Sequence, residues 1–166
     1  MSHIVFYEKP GCGGNARQKA ALRAAGHTLE VRDLLRTAWT PDTLLPFLQG
    51  QPVHDWFNRA APRIRQGLLA PNTLSADEAL ACLLADPLLI RRPLMQCRGQ
   101  HHLGFMTEAV HAWVGLGPSL ATLPGSTGLE GCAHPHAHPH TPPHTDSTTL
   151  PGPEAGRCAS PPTRTA

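Results

Sequence analysis

The stretch from Ile4 to Asn15 restricts the fold more than any other part of this chain. An apolar run, Ile4-Val5-Phe6-Tyr7, passes through Glu8-Lys9-Pro10-Gly11 to a cysteine at position 12, and a helical pattern begins directly after it. A short β-branched and aromatic run ended by Pro-Gly predicts a buried strand, His3 to Tyr7. Ala16, Ala20, Leu22 and Ala24, interleaved with Arg17, Lys19 and Arg23, predict a helix over 15–25 that stops at Gly26. His27 to Asp33 then alternates as a half-buried strand does. Strand, crossover helix and strand within about 30 residues form a βαβ unit, expected to be parallel and right-handed. Cys12 thereby falls at the carboxyl end of a strand, where open α/β sheets bind ligands. A thiol at a helix N-terminus also meets the positive end of the macrodipole, which favours the reactive thiolate. Gly11, Gly13 and Gly14 leave backbone N–H groups open to an anion, as in phosphate-binding nests. The plain alternative is a small packed cysteine that happens to follow a turn.

Downstream, Thr40-Pro41 marks a helix start, with Thr40 as N-cap and Pro41 in the first helical position, running to Gln49 and ending at Gly50. Residues 53–69 predict short helical turns interrupted by Pro62, anchored by Trp56 and Phe57. Ser75-Ala76-Asp77-Glu78 is a capping box opening a helix through Ala85, with Cys82 as a packed core side chain. Asp86-Pro87 breaks it. Leu94 to Cys97 and His101 to Phe105 predict a hairpin around Arg98-Gly99-Gln100, and Thr107 caps a last helix, Glu108 to Val114. Trp39, Trp56 and Trp113 read as core anchors, Arg63 and Arg65 as surface charges, and Arg91 as a solvated neighbour of Arg92. Cys97 reads as an edge-strand residue and only a weak resolving partner for Cys12.

Beyond this point the composition changes. Residues 117–166 hold more than half of the 18 prolines and no Phe, Tyr or Trp, too little apolar surface to offset the entropy of ordering. The chain therefore divides into a folded domain, 1–116, and a disordered Pro/His-rich tail, 117–166. In the tail, His134, His136, His138 and His140 alternate with Pro, Ala and Thr, a donor pattern suited to Ni²⁺, Cu²⁺ or Zn²⁺; the competing reading is an extension without function. A net charge of +2 is too weak for a nucleic-acid surface. No run of 18 apolar residues suggests a membrane span. Five cysteines, an odd set without a C-x-x-C pair, and no charged n-region followed by an apolar h-region predict a cytoplasmic protein with reduced thiols, expected to be a monomer.

The β-α-β, helical insert, β-hairpin and helix order is that of an α/β thioredoxin-like fold with a helical insertion between its βαβ and ββα halves. The residues Tyr7-x-x-Pro10-x-Cys12, the insert with Arg59, the run from Asp86 to Leu94 and Leu103-Gly104-Phe105 resemble the arsenate-reductase C family, which also contains the Spx-type regulators. Glu8-Lys9-Pro10-Gly11-Cys12, the run from Trp56 to Pro62 and that from Pro87 to Met95 are most similar to its nitrogenase-associated branch. The resemblance implies that Cys12 is the catalytic thiol, and that Arg92, before a cis Pro93, and Arg59 hold an oxyanion beside it. Pro93 would face the cysteine, with Gly11, Gly13 and Gly14 contacting the anion or glutathione. The family's third arginine is replaced by Phe105, a loss worth roughly 1.5–3 kcal/mol of grip on an oxyanion. Asn15, three residues after Cys12, leaves no local dithiol, so any chemistry is monothiol.

Three readings follow from the resemblance. In the first, the protein is a monothiol oxidoreductase linked to glutathione or glutaredoxin and accessory to nitrogen fixation, with no tightly bound cofactor and glutathione as co-substrate. In the second, it is a non-catalytic binding or assembly accessory of nitrogenase or its metallocluster pathway. In the third, it is a true arsenate reductase.

Overall fold

The computed structural model describes residues 1–117 and Leu129. Strand β1 (His3–Glu8) leads through the turn to α1 (Gly13–Ala24), and β2 (Thr28–Asp33) returns parallel to β1, pairing His3 with Thr28 through Glu8 with Asp33. The βαβ expectation therefore holds. Helix α2 (Pro41–Leu48) starts at Thr40, whose hydroxyl and that of Thr43 close a reciprocal capping box. Residues 53–56 make a 3₁₀ turn, and Pro62 opens the single-turn α3 (Pro62–Arg65) at its first position, where its missing N–H costs nothing, instead of interrupting a helix. Ser75 and Glu78 form the predicted box at the start of α4 (Ala76–Ala85).

Strands β3 (Leu94–Cys97) and β4 (Gln100–Leu103) form the hairpin, joined by Arg98 and Gly99 at φ +51° and +76°. Two successive positive φ angles are those of a type I′ turn, whose twist suits paired strands. Helix α5 (Thr107–Val114) begins at Thr107 with Met106 in the N-cap place and no side-chain cap. Thr107 is thus the first helical residue and not the cap expected of it.

The sheet order is β2-β1-β3-β4, with β3 antiparallel to β1 and Tyr7 opposite Leu94. Cys97 therefore lies on an interior strand, 4 % exposed, and not on an edge. It stands three residues past Leu94, about 10 Å at the usual strand rise, toward the end of the sheet opposite Cys12. Geometry removes it as a resolving partner.

Side-chain alternation on β1 divides the core between the two faces. Ile4 and Phe6 join Leu22, Met95, Phe105 and Val110 under α1 and α5, whereas Tyr7 joins Leu44, Phe57, Leu83 and Ile90 under α2, α4 and the insert. Leu129, 7 % exposed, packs into the first of these groups, and Gln18 Nε2 donates to its carbonyl at 2.5 Å. A residue from the stretch assigned to the tail therefore contributes to the core. Cys82 is core-buried as expected but disulfide-bonded, which departs from the expectation of reduced thiols; among the described residues Cys12 and Cys97 lie outside a disulfide. No helix of the described residues is long and apolar enough to cross a membrane.

Candidate functional site

The turn that carries Cys12 is built locally. Pro10 and Gly11 are its central residues, Gly11 has φ +78°, and the Cys12 N–H donates to the Lys9 carbonyl at 3.1 Å. That is the pattern of a type II turn, which requires a positive φ at its third position. Gly11 is thus needed for the bend itself. Two side-chain ties fasten the turn to α1. Lys19 Nζ lies 2.7 Å from Glu8 Oε2, both side chains being mostly covered, and Asn15 Oδ1 accepts from the Lys9 N–H at 3.4 Å. Asn15 is itself 2 % exposed and donates to Gln18 Oε1 at 2.8 Å. The residue at the place of a second cysteine is therefore a structural amide.

Cys12 is the N-cap residue of α1, partly exposed, and its side chain does not cap the helix's own N–H groups. The first turn of α1 carries no acidic residue. The positive end of the dipole is thus not offset by a carboxylate on the helix.

A cleft of about 420 Å³ opens beside Cys12, walled by Gly14, Asn15 and Gln18 of α1, by Asp55 and 57–60 of the insert, and by Arg91, Arg92 and Phe105. Cys12, Arg92 and Arg59 thus come together in one pocket. Gly14 lines it as well, whereas Gly11, Gly13 and Pro93 are not among its lining residues. The Arg92–Pro93 peptide is cis, as expected, and Pro93 is buried, its carbonyl accepting from the Gly104 N–H at 2.8 Å.

Backbone pairing brings Arg59 to this place. Phe57 bridges Ile90 in antiparallel fashion, the Asn58 N–H donates to the Leu89 carbonyl at 2.7 Å, and the Arg91 N–H donates to the Trp56 carbonyl at 2.8 Å. This clasp ties the insert to the segment before β3, setting Asp55 and Arg59 against Arg91 and Arg92.

Two members of the pocket are absent from the expected site. Arg91 is not a solvated neighbour: its side chain is 27 % exposed and lies across Gly104, where a Cβ would come within 2.8 Å of Arg91 Nε. Asp55 accepts from Arg59 Nη2 at 3.3 Å and lies 3.8 Å from Arg91 Nη1, both through Oδ1. Arg59 itself is 79 % exposed, so its pair with Asp55 is a weak surface contact. The charge of Arg91 also reaches His102, which stacks on Trp113 at 5.2 Å; burial first, and Arg91 second, hold that imidazole below its usual range. Phe105, which the family resemblance sets at the place of a third arginine, is 2 % exposed and lines the cleft with an apolar ring. Among the described residues, no group of three or more His, Cys, Asp or Glu is placed to hold a metal. The histidine run 134–140 lies outside the described residues.

A parallel βαβ half, an antiparallel hairpin half, a cis-proline and a thiol at the start of the first helix define a thioredoxin-like α/β protein. The chain belongs to the ArsC family, whose model matches residues 7–113. It is 47 % identical over 116 residues to an uncharacterized 15.7 kDa protein in the draG 3′ region of Rhodospirillum rubrum, covering 70 % of this chain and 81 % of that one. It is 28 % identical over 97 residues to an arsenate reductase of Yersinia enterocolitica, covering 57 % of this chain and 69 % of that one. The solved arsenate reductase of Vibrio cholerae superimposes with a TM-score of 0.56 at 25 % identity, over 67 % of this chain and 97 % of that one.

Proposed function

We propose that the protein is a monothiol oxidoreductase acting through Cys12, reduced by glutathione, glutaredoxin or a similar cytoplasmic thiol system. The observation that carries this reading is the cleft lined together by Cys12, Arg59, Arg91 and Arg92. The Cys12 thiolate attacks one sulfur of a disulfide such as glutathione disulfide. The S–S bond breaks, a mixed disulfide forms on Cys12, and the second sulfur leaves as a thiolate, stabilised by the nearby arginines. An external thiol then attacks the mixed disulfide and returns Cys12 to its reduced state. Asn15, held by Lys9 and Gln18, offers no second thiol at the local spacing, which supports resolution by an external thiol.

The draG-region name of the Rhodospirillum relative supports a setting in nitrogenase regulation and hence an accessory role in nitrogen fixation. Reduction of arsenate is supported less well, because the buried ring of Phe105 stands where the family resemblance calls for a third oxyanion-holding arginine.

The test is the pH dependence of Cys12 alkylation, followed by mass spectrometry of the Cys12 peptide, together with formation and release of a glutathione adduct. A thiol pKa well below the usual value of about 8.5 is expected. The adduct should be released by glutaredoxin and absent in Cys12→Ser. A Cys12 pKa at the free-cysteine value, with no adduct, would overturn the proposal.

A further inference from the structure

We infer that Asp55 is a resident carboxylate which the pocket's ligand displaces, and that the pocket thereby selects organic molecules carrying an anionic group next to the atom that reacts with Cys12. Asp55 is the acidic residue among the lining side chains, and its carboxylate meets Arg59 and Arg91. Its hold is loose. A strong carboxylate–guanidinium pair uses two parallel bonds at about 2.7–2.9 Å. Here one oxygen, Oδ1, is shared between two guanidiniums at 3.3 and 3.8 Å, while among the described residues Oδ2 has only His54 Nε2 at 3.8 Å.

The two arginines differ in what they would do once Asp55 leaves. Arg91 is seated across Gly104 and largely covered, so its guanidinium stays in the wall. Arg59 is 79 % exposed, so its guanidinium has room to follow either Asp55 or an incoming anion. The cleft of about 420 Å³ falls in the range of roughly 300–1,000 Å³ that holds whole organic ligands. The anionic group is therefore expected as part of a larger molecule, with the guanidiniums binding its charge and Cys12 meeting its reactive atom.

This inference rests on Cys12 being an accessible reacting thiol, but not on redox turnover. The probes are iodoacetate, which carries a carboxylate, and its neutral analogue iodoacetamide. With either, the thiolate attacks the methylene carbon, iodide leaves and a thioether forms. The rate at Cys12 is read in the full-length protein from the mass of the Cys12 peptide. The iodoacetate-to-iodoacetamide ratio cancels differences in thiolate content and reports the pocket's preference for charge.

Asp55→Asn is expected to raise the ratio roughly fivefold, the effect of one unit charge about 4 Å away in water. Asp55→Glu should keep it near wild type. Arg91→Gln should lower it by a similar factor, and Arg59→Gln, at an exposed position where folding is not at stake, should lower it less. Added salt at about 1 M, where screening acts within about 3 Å, should compress all these differences. A ratio unchanged by Asp55→Asn, or equal changes in both rates, would overturn the inference, since a structural aspartate would act on both reagents alike. A slow iodoacetamide rate in wild type would instead count against the oxidoreductase proposal while leaving the ratio readable.

Discussion

Replacing Gly104 with alanine tests how Arg91 is held in the pocket. Gly104 follows β4 with φ +75°, and a methyl group there would lie 2.8 Å from Arg91 Nε and 3.2 Å from its Cζ. Two costs arise. A non-glycine residue in the left-handed region loses about 1–2 kcal/mol. The methyl must also displace Arg91, but a guanidinium is the free end of a long side chain and yields at modest cost, taken here as under about 1 kcal/mol. Gly26→Ala is the matched control: its φ is +84°, with nothing within 4 Å of the added carbon, so it carries the backbone cost alone. For a domain of this size each kcal/mol lowers Tm by about 4–8 °C. Both variants should therefore melt roughly 5–15 °C below wild type, Gly104→Ala slightly lower. The discriminating readout is local. Displacing Arg91 should reduce the iodoacetate preference at Cys12 and raise the His102 pKa seen by NMR titration, because one of the two influences depressing it is withdrawn. Gly26→Ala should change neither. If the two variants match each other in alkylation ratio and in His102 titration, Arg91 does not lie across Gly104 and the account of the pocket wall fails.

Two further outcomes follow from the same geometry. His101 and His102 are both held below the usual imidazole range, chiefly by burial. The unfolded chain therefore binds more protons than the folded one as pH drops through about 6.5, and folding stability should fall with pH there until the folded-state pKa values are passed. His102→Gln should flatten this slope in urea titrations between about pH 5 and 8; an unaltered slope would show that His102 is not the group responsible. Leu129→Ala removes a side chain packed with Ile4, Leu22 and Phe105 but keeps the backbone carbonyl that accepts from Gln18. It should cost about 2 kcal/mol, at the low end for a buried leucine. Ending the chain at residue 117 should cost about 1–3 kcal/mol more, because the buried Gln18 amide then loses its partner. A truncated chain as stable as the full one would refute this.

Much of the framework was legible because it follows from short-range rules. The apolar run Ile4 to Tyr7 marked a buried strand, Pro10-Gly11 announced a tight turn, and the cap at Thr40 and the box at Ser75 set two helix starts, each a matter of a few adjacent residues. Thr107 shows the limit of such rules: the helix begins on it instead of after it, with no side-chain cap to fix the boundary. Cys97 carries no mark in the sequence of being on an interior strand, since strand order depends on which neighbours pair and not on the strand itself.

The pocket divides along the same line. The sequence by itself determined the thiol at the start of α1, the lack of a second thiol at Asn15, and the cis peptide before Pro93, because turn, cap and motif chemistry are local or carried by family resemblance. Only the tertiary structure decided that Asp55 and Arg91 join Cys12, Arg59 and Arg92. The clasp that brings them together, Phe57 against Ile90, consists of backbone hydrogen bonds between segments more than thirty residues apart. Backbone groups are the same in every residue, so such a pairing leaves no side-chain signature. The charge balance it creates around Cys12 exists only once the chain has folded.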